Sequence, residues 1–386
     1  MDAPLVGVRV LDLSRLLPGP FCTLILSDLG ASVDKVEDPH VGDYLRVFPP
    51  LKNGLAGRFN ALNRDKRSIC IDLKRDEGRR ALLRLVKSYD VLVESFRPGV
   101  MDRLGVGYSA LSESNPKLVM CSISGYGQTG PLKDRAGHDI NYVSLAGVMG
   151  MSGRQPAPPP VAGVQLADLA GGGLWGAVGI LAALLAARAG GRGRHVDVSM
   201  CEGSLAFLMP DLGNYDASGK PPARGAELLN GGAACYGVYR TRDGRFLSVG
   251  ALEPKFWTAF NQALGRKSDL SELVAPPEQQ EKVRAVIQAI LETRTRDEWE
   301  AVFAGPGCDA CVEPVLSPDE LERHPQHVAR GMFFSIGDLK QVRTPFGSPS
   351  GHRPPPSLGG DGATILAEAG FSADEIAALK SAGATR

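Results

Sequence analysis

The chain has 386 residues, 43% of them hydrophobic and 22% charged, with 43 basic side chains against 43 acidic ones and a formal net charge of +0. Such a composition excludes a disordered tail or a fibre, and the charge balance removes any overall electrostatic case for a nucleic-acid or anionic-membrane partner. At about 100 to 200 residues per domain, the length predicts two to three domains with a large core.

Met1-Asp2-Ala3-Pro4 lacks the basic region of a signal peptide, and the expected compartment is the cytoplasm. Residues 8–13 read as a strand, 18–29 as a helix closed by Gly30, and 32–36 as a second strand. Strand-like runs at 68–73, 90–94 and 117–123, with an amphipathic segment at 76–87, continue the alternation. A series of this kind predicts an α/β fold with a Rossmann-like, mostly parallel, helix-covered sheet. Ligands of such sheets bind beyond the carboxyl ends of the strands, so the loops after Leu73, Glu94 and Ile123 are where a nucleotide-like ligand belongs. The first strand is not followed by G-x-G-x-x-G, and the Gly-rich stretch 124–131 has no lysine at P-loop spacing, which argues against a dinucleotide or a P-loop.

Further on come a proline-rich loop at 154–160, a small-residue helix at 171–187 and a strand at 195–199. The longest apolar run, 174–187, is shorter than the roughly 20 residues that span a bilayer, so no membrane partner is expected. The large domain is expected over 1–215, with linker composition at 218–224. A smaller α+β domain is expected over 225–325, where Asp243-Gly244 between apolar runs signals a hairpin and 255–264, 278–292 and 295–303 read as helices. Residues 326–386 form a linker rich in Pro and Gly and a last helix over 363–380. The seven cysteines, Cys22, Cys70, Cys121, Cys201, Cys235, Cys308 and Cys311, read as buried thiols rather than a disulfide framework. Cys308-x-x-Cys311 has no second ligand pair and His324-Pro325-Gln326-His327 no third ligand, so no metal site is expected.

Three ionisable residues stand out: His138 within Gly137-His138-Asp139-Ile140-Asn141-Tyr142, Asp168 ahead of Gly171-Gly172-Gly173, and Glu253 before Pro254. A His and an Asp on separate segments of one scaffold can face a substrate carbon from opposite sides and pass a proton across it, which is racemase or epimerase chemistry. A histidine ordinarily titrates near 6.5, which suits a base. Asp168 must be protonated when it donates, so burial that raises its pKa is expected. Plainer readings exist for each: a structural histidine at 138, a helix N-cap at 168, and a helix start at 253.

Residues 7–13 (GVRVLDL), 94–100 (ESFRPGV), 190–197 (GGRGRHVD) and 309–315 (DACVEPV) resemble the family III CoA-transferase (CaiB/BaiF-like) superfamily, nearly throughout the chain. GHDINY at 137–142, Asp168 before its glycines and Gly250-Ala251-Leu252-Glu253-Pro254 resemble its α-methylacyl-CoA racemase branch. The resemblance implies an isomerase of lipid metabolism acting on acyl-CoA, with His138 and Asp168 as catalytic acid and base and Glu253 paired to His138. It further implies an interlocked homodimer, a C-terminal segment returning to the large domain, and no cofactor beyond the CoA moiety of the substrate. For coenzyme A it points to Ile71, Asp72, Leu73, Lys74, Ser95, Phe96, Arg97, Arg103, Gly137, Asp139, Ile140, Asn141 and Tyr142. The backbone N–H of Asp139 is the implied donor to the enolate oxygen, and Gly171 to Gly173 are expected to let backbone approach the substrate.

One position that can carry a basic residue in racemases of this branch holds Asp38, and Arg46, Arg64, Lys66 and Arg67 are the candidates to compensate, although the Arg64–Arg67 cluster also reads as a solvated loop. Met149, Met151 and residues 154–161 are candidates to line an acyl chain. The other two readings are a CoA-transferase, with Asp168 as nucleophile carrying an acyl anhydride, and a CoA-binding protein without turnover.

Overall fold

The first half of the chain follows the strand and helix alternation of the sequence. In the computed structural model, which describes residues 3–386, this half contains β1 (Arg9–Asp12), α1 (Pro18–Asp28), β2 (Ser32–Glu37), β3 (Arg67–Cys70), α2 (Asp76–Leu85), β4 (Val91–Glu94) and β5 (Val119–Ser124). Then come α3 (Asp139–Leu145), a π-helix (Ala167–Leu174) running into α4 (Trp175–Arg188), β6 (His195–Ser199) and α5 (Met200–Leu205). Met1 and Asp2, part of the stretch weighed above as a signal peptide, lie outside the described residues.

Six strands pair in parallel in the order β3-β2-β1-β4-β5-β6. Parallel sheets are covered on both faces, which is why Val91, Leu92 and Val93 are all fully buried instead of alternating in and out. On one face α2 lays down Ala81, Leu82 and Leu85 against Leu92 and Met120, and the C-terminal segment adds Ile365 and Leu366 to the same core. Asp76 and Glu77 in the first turn of α2 and Arg84 in its last match the helix dipole. The order reverses between β1 and β4, so the loops after these two strands diverge and open a crevice at the carboxyl edge of the sheet.

The sequence ends its longest apolar run at 14 residues, but the π-turn extends it. The helix over Ala167–Arg188 has 22 residues and a mean hydropathy of 1.9, long and apolar enough to cross a membrane by length and composition alone. In this fold it packs on the sheet: Ala177, Ile180, Ala183 and Leu184 are buried, and a Cβ at Gly176 would stand 3.0 Å from Ile123 and 3.2 Å from the Cys22 sulfur.

A buried ionic network fixes the loop after β1. Asp12 accepts from Lys66 Nζ at 3.1 Å and from Thr23 Oγ1 at 2.6 Å, while Lys35 Nζ donates to the Ser14 carbonyl at 2.7 Å and pairs with Asp43 at 3.1 Å. Asp43 in turn accepts the Leu16 amide at 3.3 Å. Leu16 has φ +63°, a conformation that costs a non-glycine residue free energy and persists only where its surroundings hold it.

The chain divides into two compact units, one of residues up to Ala146, Ala162–Phe207 and Glu322–Arg386, the other of Gly147–Val161 and Leu208–Leu321. The second unit begins its main run with α6 (Met209–Ser218) and holds a three-stranded antiparallel sheet of β7 (Tyr236–Arg240), β8 (Phe246–Gly250) and β9 (Val312–Pro314), with β8 in the middle. The β7–β8 turn is the expected one, with Gly244 at φ +75° and its N–H donated to the Thr241 carbonyl at 3.0 Å. Trp257 and Phe260 of α7 (Pro254–Ala263), Ile287 of α8 (Pro277–Leu291) and Trp299 of α9 (Arg296–Phe303) fill its core. All seven cysteines are free thiols, and Cys311, read from sequence as buried, is exposed.

Candidate active site

A cavity of about 540 Å³ opens at the carboxyl edge of the sheet where the strand order reverses. His138 and Asp168 both line it, although 30 positions separate them in the chain. The two are delivered by different helix starts. His138 is the N-cap of α3, in extended conformation, and its backbone N–H donates to Asn141 Oδ1 at 3.0 Å. Tyr142, one turn into α3, donates its hydroxyl to the Gly137 carbonyl at 2.6 Å and meets Tyr126 edge to face at 5.1 Å. A side chain at 137 has no room, because a Cβ there would lie 2.8 Å from the Tyr142 ring. GHDINY therefore packs upon itself and turns the imidazole outward, where it is exposed.

Asp168 lies inside the first turn of the π-helix, not at an N-cap as one reading of the sequence has it. Single π-turns are uncommon and recur at functional sites. Burial, reinforced by the charge of Asp139, pushes the Asp168 carboxyl up to about 7, the direction expected from the chemistry. The Asp139 carboxylate also accepts the Asp168 backbone N–H at 3.0 Å, so one hydrogen bond locks the histidine segment to the aspartate segment. The backbone N–H of Asp139 stands in the first turn of α3, where the helix offers it no acceptor.

The glycines after Asp168 make room for close packing. A Cβ at Gly171 would lie 2.5 Å from the Met200 carbonyl, at Gly172 2.7 Å from the Met200 side chain, and at Gly173 2.8 Å from the Pro18 carbonyl. They let the π-helix press against α5 and α1.

Of the residues assigned to coenzyme A, Ser95, Phe96, Arg97, Gly137, Asn141 and Tyr142 line the same cavity. Ile71, Asp72, Leu73 and Lys74 line an adjoining one of about 200 Å³ beyond β3, and Arg15 and Phe96 stand between the two. Arg103, exposed on the short helix Val100–Arg103, lines neither, and nor do Asp139 and Ile140. Asp38 faces the smaller cavity; burial works against its charge, but the amides of His40 and Val41 hold its carboxyl below the usual range.

The four cations expected to compensate are engaged elsewhere. Arg46 is bound to Glu37 at 2.6 Å, Arg64 to Asp28 at 2.7 Å, Lys66 to Asp12 at 3.1 Å and Arg67 to Asp34 at 2.7 Å. Arg64 and Lys66 are buried, so this cluster is not a solvated loop. The structure supplies Arg15, Lys133 and Arg135 to the large cavity instead, none of which local sequence reasoning selected. The signal for Arg15 was its place in the first strand-to-helix turn, and for Lys133 and Arg135 their position just ahead of GHDINY. Glu253, Met149, Met151 and residues 154–161 belong to the second unit, where Glu253 is the exposed N-cap of α7.

A doubly covered parallel sheet with a cationic crevice at its switch point, lined by His138 and Asp168, is the arrangement in which α/β proteins bind their ligands. A family profile described as CoA-transferase family III matches residues 5–362, and the chain belongs to that family. Alpha-methylacyl-CoA racemase of Mus musculus is 38% identical, across 97% of this chain and 96% of its own. Acetyl-CoA:oxalate CoA-transferase of Acetobacter aceti is 36% identical, across 96% of this chain and 97% of its own. Among solved structures, a CAIB/BAIF family protein from Brucella suis superposes with a TM-score of 0.82 at 33% identity, covering 96% of this chain and 100% of that one.

Proposed function

We propose that this protein is a racemase that inverts the α-carbon of 2-methyl-branched acyl-CoA thioesters through an enolate. The observation that carries the reading is that His138 and Asp168 share one cavity, with the Asp168 carboxyl raised to about 7. A carboxyl in that range takes up and gives back a proton near neutral pH, as a two-base inversion demands.

In one direction the basic form of one residue removes the α-proton, and the electron pair moves onto the thioester oxygen. The acidic form of the other then returns a proton to the opposite face, and the two residues end with exchanged protonation. The Asp139 backbone N–H is the donor assigned to the enolate oxygen, where preorganised donors lower the barrier most. Glu253 is assigned to orient and stabilise the charged imidazole, within an interlocked homodimer. Arg15, Lys74, Arg97, Lys133 and Arg135 supply the positive charge that phosphates require. On this reading the enzyme works in the cytoplasm on acyl-CoA of lipid metabolism and needs no cofactor beyond the CoA moiety.

The alternative makes Asp168 a nucleophile that carries CoA between carboxylic acids, the reaction class for which the Acetobacter relative is named. A raised carboxyl pKa favours the proton-transfer role, because a nucleophilic carboxylate gains from being ionised. Chiral analysis of a single-enantiomer substrate tests the choice: racemisation without an acceptor acid supports the proposal, and transfer only when an acid is added overturns it.

A further inference from the structure

The loop that divides the two cavities, residues 95–97, is held from behind by a polar cluster that the mechanism above does not use. Glu94 closes β4 and is 3% exposed, and its Oε2 accepts the Phe96 backbone N–H at 2.7 Å. Ser122, its register partner on β5 and 1% exposed, bonds the same carboxyl through its hydroxyl. The Ser122 Oγ lies 2.8 Å from His195 Nε2 at the start of β6, and the His195 ring stacks on Tyr108 at 5.4 Å. The chain of contacts thus runs across three neighbouring strands to the loop.

Phe96 packs in part against the hydrophobic core, while the backing behind Arg97 is polar. A polar chamber of about 90 Å³, lined by Glu94, Arg97, Ser122 and His195 among others, lies at its back. In front, the loop sets its neighbours: Ser95 Oγ accepts the Arg15 backbone N–H at 3.1 Å, and the Arg15 guanidinium sits 5.4 Å over the Phe96 ring. Arg97 faces both the chamber and the large cavity. One buried acceptor helps to set where the loop stands, and with it the cationic wall between the two cavities. Burial above all pushes the Glu94 carboxyl up to about 7, so an acceptor serves here whether or not it is charged.

We infer that Glu94 is a positioning residue for the thioester's CoA portion, holding the 95–97 loop and Arg15 at the switch point through its bond to the Phe96 amide. The inference rests on the CoA-thioester reading of the cavity. Its effect falls on binding, because the loop carries Ser95, Phe96 and Arg97, which are assigned to CoA, and none of the groups assigned to proton transfer.

The test compares Glu94→Ala, Glu94→Asp and Glu94→Gln with the full-length parent, measuring Kd for free CoA by calorimetry and KM and kcat for α-proton exchange. Glu94→Ala removes the acceptor, and Glu94→Asp withdraws it by one methylene while keeping the charge. Both are expected to raise Kd and KM about tenfold, the scale of one buried hydrogen bond, with kcat within about twofold. Glu94→Gln keeps a carbonyl for Phe96 and an amide for Ser122, and is expected to match the parent. Should Glu94→Ala fail to fold, Glu94→Asp against Glu94→Gln carries the comparison. Unchanged Kd and KM in Glu94→Asp, or a Glu94→Gln variant as weak as it, overturns the inference. A parent protein that neither binds CoA nor exchanges the α-proton defeats the proposed function instead, and the two failures are distinct.

Discussion

Asp168→Asn probes the central electrostatic feature of the site through stability, independently of any substrate. The carboxyl moves from its ordinary 3.8 to about 7 on folding, chiefly through burial. The folded chain therefore binds a proton that the unfolded chain has already released between those two pH values. Stability contributed by the protonated group is fully present below the unfolded value and is lost as pH rises towards the folded one. At 1.36 kcal/mol per pH unit the loss is about 4 kcal/mol, and the partial exposure of the side chain brings it nearer ~2 kcal/mol. Asparagine has no proton to lose. Denaturant unfolding of parent and variant at fixed protein concentration is expected to show a gap that is small near pH 4, widens as pH rises, and levels off above pH 7 with the variant the more stable. A gap independent of pH refutes the raised carboxyl, and a gap that widens towards low pH means that Asp168 is held ionised instead.

His138→Ala is expected to abolish α-proton exchange while CoA binding and thermal unfolding stay close to the parent, since the imidazole is exposed and its segment is held by Asn141 and Tyr142. Gly171→Ala drives a Cβ against the Met200 carbonyl at 2.5 Å and is expected to lower stability by about 1 to 3 kcal/mol by denaturant unfolding. Lys66→Met leaves Asp12 buried without its partner and is expected to cost about 3 to 5 kcal/mol in the same assay. Replacing Lys133 and Arg135 together by alanine is expected to raise KM about tenfold and to flatten its dependence on salt, and an unchanged salt dependence removes them from phosphate binding.

The parallel sheet was legible because its strands are short apolar runs bounded by polar turns, and Val91-Leu92-Val93 needs no partner to be read as buried. The site was legible in part: GHDINY and Asp168 carry an unusual combination of ionisable and small residues, and the structure brings both to one cavity. What the sequence concealed was long-range. Arg64 and Lys66 look like a solvated patch because their partners, Asp28 and Asp12, lie 36 and 54 residues away. Gly171 to Gly173 read locally as room for backbone to approach a substrate, whereas their close contacts with Met200 and Pro18 are set only by tertiary packing. Arg15 belongs to the crevice because β1 and β4 are neighbours, a fact of strand order that composition does not contain.

The most direct test of the account is proton NMR of a single enantiomer of a 2-methylacyl-CoA incubated with the enzyme in D2O, without an acceptor acid. A two-base racemase gives loss of the α-proton signal together with inversion of configuration. Retention of the α-proton, with CoA passing to a carboxylic acid once one is added, would contradict that reading and assign Asp168 to nucleophilic transfer.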